Sequence, residues 1–239
     1  MNIRPYITLN GVSSTTKSGL LICELPPISK PLVRTVVETV DGRDGDIITK
    51  LGFSAYDKIV KLGLTTGFDI DSIISYFSSE GEVIFSNEPD KYYRYAIYNQ
   101  IDFERLLRFR TAEVTFHVQP FKYSVADTEK TFNISTNPAS VTVKNNGNYF
   151  SRPILTITGS GEITVSLNGV QLLFIDLGET SQDIIIDCEK MNAYYTDNTL
   201  ANRIVTGNYD NIRLIVGNNT ITTTGTVSKL KVKNYSRWL

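Results

Sequence analysis

Between Thr111 and Gln119 apolar and polar positions alternate without a break. Ala112, Val114, Phe116 and Val118 share one face; Thr111, Glu113, Thr115, His117 and Gln119 share the other. A period of two marks a half-buried strand, because successive side chains of extended backbone point to opposite sides of a sheet. Pro120 has no backbone donor, so the strand is expected to stop there. Asp57–Leu64 alternates through Lys58, Val60, Leu62 and Leu64, and Leu32–Val40 is rich in β-branched residues; both predict strands. One stretch changes period. Ile70, Ile73, Ile74 and Phe77 recur at i, i+3, i+4 and i+7, which predicts a helix with Asp69 as its N-cap and Gly81 as its stop. Shorter strands follow at Val83–Phe85 and Tyr92–Tyr98. At the front, Asn10-Gly11 between Tyr6–Leu9 and Gly19–Ile22 predicts a hairpin turn.

After Ala126 the pattern becomes a run of short strands separated by Thr, Asn, Ser and Gly. Segments 130–134, 141–144, 154–158, 163–167, 170–175, 183–188, 212–216, 220–223 and 227–233 read as strands, with a two-residue hairpin at Leu167-Asn168-Gly169-Val170. The expected fold is therefore mainly β. An N-terminal sandwich or barrel-like domain with one helix (1–136) is followed by a second β-sandwich (137–239).

Composition narrows the chemistry. The chain has 239 residues and a formal net charge of -1, so it lacks the basic balance of a nucleic-acid binder. No apolar run reaches membrane-spanning length and the N-terminus has no signal-peptide core, which predicts synthesis and folding in a cytoplasm. Cys23 and Cys188 stand far apart with no Cys-x-x-Cys, and read as small hydrophobes, not as a zinc site or disulfide. His117 is the sole histidine. Any histidine-dependent nucleophile would have to use it, yet its strand position among Thr115 and Gln119 reads as solvated. Asp41–Asp46 (DGRDGD) clusters carboxylates but fails the EF-hand template, with Arg43 at its third position and Gly52 at its twelfth; it reads as a solvated turn. Asp69 and Asp71 fit a helix N-terminus without chemistry. No carboxylate pair is singled out for glycoside hydrolysis. No catalytic, cofactor-binding or metal residue is therefore expected. Tyr149, Tyr194, Tyr195 and Trp238 are the candidates for an aromatic platform that would bind cell-wall carbohydrate, the alternative function for the second domain. The Asn-x-Ser/Thr triplets at Asn133, Asn218 and Asn234 read as chance matches. Pro26, Pro27 and Pro31 make Leu25–Pro31 an extended connection that no central strand could accommodate.

In order and spacing these motifs resemble the distal tail (Dit) proteins of siphophages, the long, non-contractile-tailed phages, and of related prophages. The likeness runs through Tyr6–Gly11, the DGRDGD loop, the helix Asp69–Phe77 leading into Gly81–Phe85, then Tyr92–Tyr98, Phe103–Phe109 and Ala112–Tyr123. It continues through Asn145-Asn146-Gly147, Ser151-Arg152-Pro153, Thr158–Gly161 and Gly217-Asn218-Asn219. Val216 stands where that family usually has proline. The resemblance implies a galectin-like or carbohydrate-module-like second domain without an inserted binding module. It implies a homohexameric ring at the tail tip of the virion, made in the bacterial host's cytoplasm. The tail tube protein would lie on one side and a tail-associated or tail-fibre protein on the other, with receptor-binding or baseplate proteins attached outside. DNA would pass through the centre without specific binding, and no membrane insertion is implied. Within such a ring, segments 25–31 and 41–46 are candidates for reaching a neighbour.

Overall fold

A computed structural model describes residues 4–239. The chain divides into two compact units, one ending at Lys122 (with the terminal Leu239) and the other Tyr123–Trp238. Each has its own hydrophobic core.

The first unit contains β1 (Ile7–Leu9), β2 (Val12–Ser13), β3 (Leu20–Glu24), β4 (Val33–Thr39), β5 (Asp46–Phe53), β6 (Tyr56–Leu64), α1 (Ile70–Tyr76), β7 (Glu80–Phe85), β8 (Lys91–Ala96), α2 (Phe103–Phe109) and most of β9 (Thr111–Ser124). Seven strands join in the order β2-β1-β7-β8-β9-β6-β3, while β4 and β5 pair only with each other. The alternation in β9 sets the core. Ala112, Val114, Phe116 and Val118 are buried and lie opposite Leu62, Val60, Lys58 and Tyr56 of β6. Phe85 and Tyr95 meet Phe116 edge-on, with ring centroids at 5.9 and 5.1 Å, the geometry that aromatic quadrupoles favour. Helix α1 adds Ile73 and Tyr76, and Asp69 Oδ1 accepts from Ser72 N at 3.2 Å as the expected N-cap.

Several expectations need correction. Pro120 does not end the strand, which runs to Ser124. The β6 ladder stops at Val118, so proline removes no donor from it. Gly81 does not stop α1; it lies inside β7 at φ 145°, where a Cβ would fall 1.9 Å from the Asn10 side chain. The Asn10-Gly11 turn joins β1 to β2, whereas Leu20–Ile22 belongs to β3 and pairs with β6. The structure also adds a second helix, α2, capped by Asp102 Oδ1 on Arg105 N at 2.7 Å.

The second unit holds β10 (Lys130–Asn133), β11 (Ala139–Asn145), β12 (Ile154–Leu167), β13 (Val170–Asp176), β14 (Gln182–Asp187), β15 (Asn192–Tyr194), β16 (Val205–Gly207), β17 (Gly217–Lys233) and β18 (Arg237–Trp238). Segments 154–158 and 163–167 are one strand, β12, and 220–223 and 227–233 are one strand, β17. Both bend where their register shifts, near Gly159–Gly161 and Gly225. A Cβ on Gly225 would lie 2.2 Å from Glu162 O, which is why glycine stands at the crossing. Before the bend, β12 pairs with β14; after it, with β13, and both halves feed one core. In the β10-β17-β12-β14-β15 half, inward rows such as Val232, Leu155, Ile186 and Ala193 are buried, and the Lys229, Lys231 and Lys233 row faces outward. Segment 212–216 is not a strand. It is a loop with a single bridge, Ser151 to Leu214, that drops Ile212 and Leu214 into the core.

Candidate functional site

The feature of the first unit that its core does not explain is the β4–β5 hairpin. Its register sets Val37 opposite Ile48 and Val36 opposite Thr49, with a bulge at Arg34/Thr35. Val37 is 53% and Ile48 62% exposed, and Val36, Val40 and Leu51 are exposed as well. None of residues 32–53 belongs to the unit's core or to the side chains packed on it. A two-stranded ribbon gains little by itself in water, and exposed apolar groups on both of its faces make it the candidate contact surface of this unit. Its tip is the DGRDGD turn, where Gly42 (φ 80°) and Gly45 (φ 77°) take backbone that other residues rarely adopt. Its carboxylates bind no neighbouring ligand set: among the described residues no three of His, Cys, Asp and Glu come together.

The hairpin is anchored at its root. Ser54 N donates to Leu32 O at 2.8 Å, and Phe53 meets Phe121 edge-on at 5.8 Å. Ahead of it the proline-rich segment Leu25–Pro31 lies along β6 as a strap. Asn87 Nδ2 donates to Pro26 O (3.0 Å), Lys58 Nζ to Pro27 O (2.9 Å) and Tyr56 OH to Ser29 O (3.4 Å). The two segments named from the sequence as candidate neighbour contacts, 25–31 and 41–46, are thus the strap that leads into this ribbon and the tip of it. Sequence reading missed β5, because a ribbon exposed on both faces shows no alternation. It also missed Lys58, which sits on the core face where alternation would place an apolar residue.

The remaining candidates fall elsewhere. His117 pairs across the ladder with Asp57, Nδ1 to Oδ1 2.7 Å, beside the Tyr98 ring at 5.2 Å. A third of its side chain is exposed, and among the described residues no hydroxyl or thiol is bonded to its other nitrogen. Cys23 is exposed; Cys188 is buried, and burial pushes its thiol far up. Tyr149 stacks on Phe150 at 4.6 Å under the Arg237 guanidinium, Tyr195 packs against the core, and Tyr194 accepts from Asn192 Nδ2 at 3.2 Å. Trp238 belongs to β18. Tyr149 bridges to Arg237, the residue before Trp238, whereas Tyr194 ends β15 and Tyr195 follows it. Asn234 is buried with Nδ2 on Lys144 O at 2.8 Å, a pin and not a glycosylation acceptor.

The asparagine motifs of the second unit are structural. Asn145 Nδ2 donates to Tyr149 O and Leu214 O, both at 2.9 Å, and its Oδ1 accepts from Gly147 N. Asn219 accepts from Ile215 N (2.9 Å) and donates to Ile215 O and Gly217 O, holding the 212–218 loop against β17. Both are buried, so alanine would strand their partners. Asn219→Ala is expected to cost about 2–3 kcal/mol, read as a lower urea midpoint for this unit. A salt cluster of Arg152, Asp210 and Arg213 lies nearby, and Arg152 holds the Asp210 carboxyl below the usual range.

No protein-family model matches the chain, and no curated protein matches it. Solved structures do match. The fold is that of the SPP1 Dit protein. The two superimpose with a TM-score of 0.70 over 98% of this chain and 99% of that one, at 17% sequence identity. That protein is described as a paradigm of the hub adsorption apparatus in phages infecting Gram-positive bacteria. A chain of the phage P2 baseplate in its activated conformation with Ca matches at TM-score 0.51, 10% identity, over 96% of this chain and 97% of that one. The same baseplate with Sr matches at TM-score 0.51 and 11% identity, over the same shares.

Proposed function

We propose that this chain is a non-catalytic structural hub at the distal end of a long, non-contractile phage tail. Copies close into a hexameric ring that joins the tail tube to tail-tip and receptor-binding proteins, and DNA leaves through its centre. The observation that carries the reading is full-length correspondence of fold, in both units, with the SPP1 Dit hub. The ring-forming role falls to the N-terminal unit, which ends at Lys122, and the outward-facing role to the C-terminal unit, which already includes β10. The protein would reside in the virion after synthesis in the host cytoplasm.

The physical support is the hairpin. A closed ring needs a heterologous interface, in which each copy offers two different surfaces. An apolar ribbon that lies outside the unit's core is suited to be one of them, lying on the next copy around the ring. The net charge of -1 suits a conduit, since a basic lumen would hold DNA through counterion release. Electron microscopy of the purified full chain, alone and with its tail-tube partner, tests the proposal. Six-fold rings with a central hole are expected; a strictly monomeric species in both preparations would overturn it.

A further inference from the structure

We propose that the strap Leu25–Pro31 is a latch closed over the buried amine of Lys58 and poised to open, and that the protonation of this lysine sets how firmly the strap is held. The inference concerns the single chain and does not depend on ring assembly.

The geometry is unusual for a lysine. Lys58 lies opposite Phe116, in the row that Val60 and Leu62 continue into the core, and is only 3% exposed. Lysines are almost never buried to this degree without a paired charge. Here the acceptor is a backbone carbonyl, Pro27 O at 2.9 Å. Three rings surround the amine, Tyr93 at 4.9 Å and Tyr56 and Phe85 at 5.6 Å each, giving cation–π contact to a charge removed from water. The carboxylate in the neighbourhood, Glu88, is already engaged by Tyr93 OH at 2.6 Å and by Lys122 Nζ.

The strap that covers this amine is packed at both ends, where Pro26 and Pro31 are buried and Leu25 lies against the core, and is exposed from Pro27 to Lys30 between them. Its three prolines have no N–H. The bonds that tie Pro26, Pro27 and Ser29 to the body all run from a side-chain donor to a strap carbonyl. Lifting the exposed middle of the strap breaks the bonds to Pro27 O and Ser29 O and returns a charged amine to water.

The sign follows from that exchange. Burial is the leading cause that pulls the Lys58 pKa down to about 8, with Glu88 opposing and Lys122 assisting. In the open state the amine regains water and the ordinary lysine value near 10.5. Protonation thus favours the open strap and loss of the proton favours the closed one. Closure tightens as pH rises through about 8 towards 10.5. Tyr56 and Tyr93 also face the amine. Burial raises both, and the hydrogen bond to Glu88 raises Tyr93 further, so neither ionises in the first part of this window.

A spin label reads the latch. Ile28 is 59% exposed at the middle of the strap. In the full chain carrying Cys23→Ser and Ile28→Cys, the label should show a mobile fraction that falls several-fold between about pH 7 and pH 9.5, a window set by proton linkage. With Lys58→Met added, the spectrum should not change across that range; Lys58→Gln serves if the methionine variant does not fold. A spectrum that is constant with pH when Lys58 is present would overturn the proposal. So would an equal pH response in the Lys58 variants.

Discussion

Val37→Asp with Ile48→Asp is expected to abolish ring assembly while leaving the chain folded. The two residues face each other across the β4–β5 ladder and contribute nothing to either core. As a free monomer, the variant only places carboxylates where water already reaches, so surface-type changes within about 0.5 kcal/mol are expected. In the ring these positions would be buried on a neighbour. Losing their apolar burial removes on the order of 3 kcal/mol per interface. Burying two unpaired carboxylates instead costs several kcal/mol more. Even the first amount weakens each contact by roughly a hundredfold, and a closed ring repeats the loss at every joint. Native mass spectrometry at the concentration where the parent chain forms rings should show the double variant as monomer, with unchanged far-ultraviolet circular dichroism. Rings that persist would show that the ribbon is not the assembly surface. A Val12→Asp control, exposed but on β2, should keep the ring.

What the sequence shows of this fold depends on whether each element has one buried face. β9 has one, so its alternation reveals both its limits at Thr111 and the residues that fill the core. The expected face of α1 gives its N-cap and the buried Ile73 and Phe77, but Ile74 of that face is exposed and Tyr76 is buried instead. β5 has none and is invisible, although the adjoining turn residues are conspicuous. The segments on either side of Gly159 and of Gly225 read as separate strands, yet at these glycines β12 and β17 bend without breaking. Ile212 and Leu214 read as a strand because they are apolar two apart, but asparagine side chains hold that loop and no ladder does. Lys58 is concealed for a related reason. The alternation sets Lys58 in the row of Val60 and Leu62, but nothing nearby in sequence shows the Pro27 carbonyl and the aromatic rings that meet its buried amine. Of the candidate assembly surface the sequence showed the prolines, the β-branched strand at Leu32–Val40 and the DGRDGD turn, but not β5.

The largest expected stability effect comes from Phe116→Ala. The ring is fully buried at the middle of β9, held edge-on by Phe85 and Tyr95, and lies in register with Lys58. Removing it leaves a cavity that neighbouring strands cannot close, because their positions are fixed by ladders on both sides. The loss is about 3–5 kcal/mol. For a unit of this size that lowers the melting temperature by roughly 10–25 °C. The second unit has a separate core with no residue in common. Differential scanning calorimetry should therefore show one transition displaced and the other in place. Phe109→Ala, which removes a ring from the exposed face of α2, should change either transition by under about 0.5 kcal/mol. Equal displacement of both transitions by Phe116→Ala would mean that the units unfold as one body; a shift of only a degree or two would mean that β9 does not organise the first core. Displacement confined to one transition would show that the alternating stretch at 111–119, the most legible pattern in the chain, is also the element on which the hairpin-bearing unit is built.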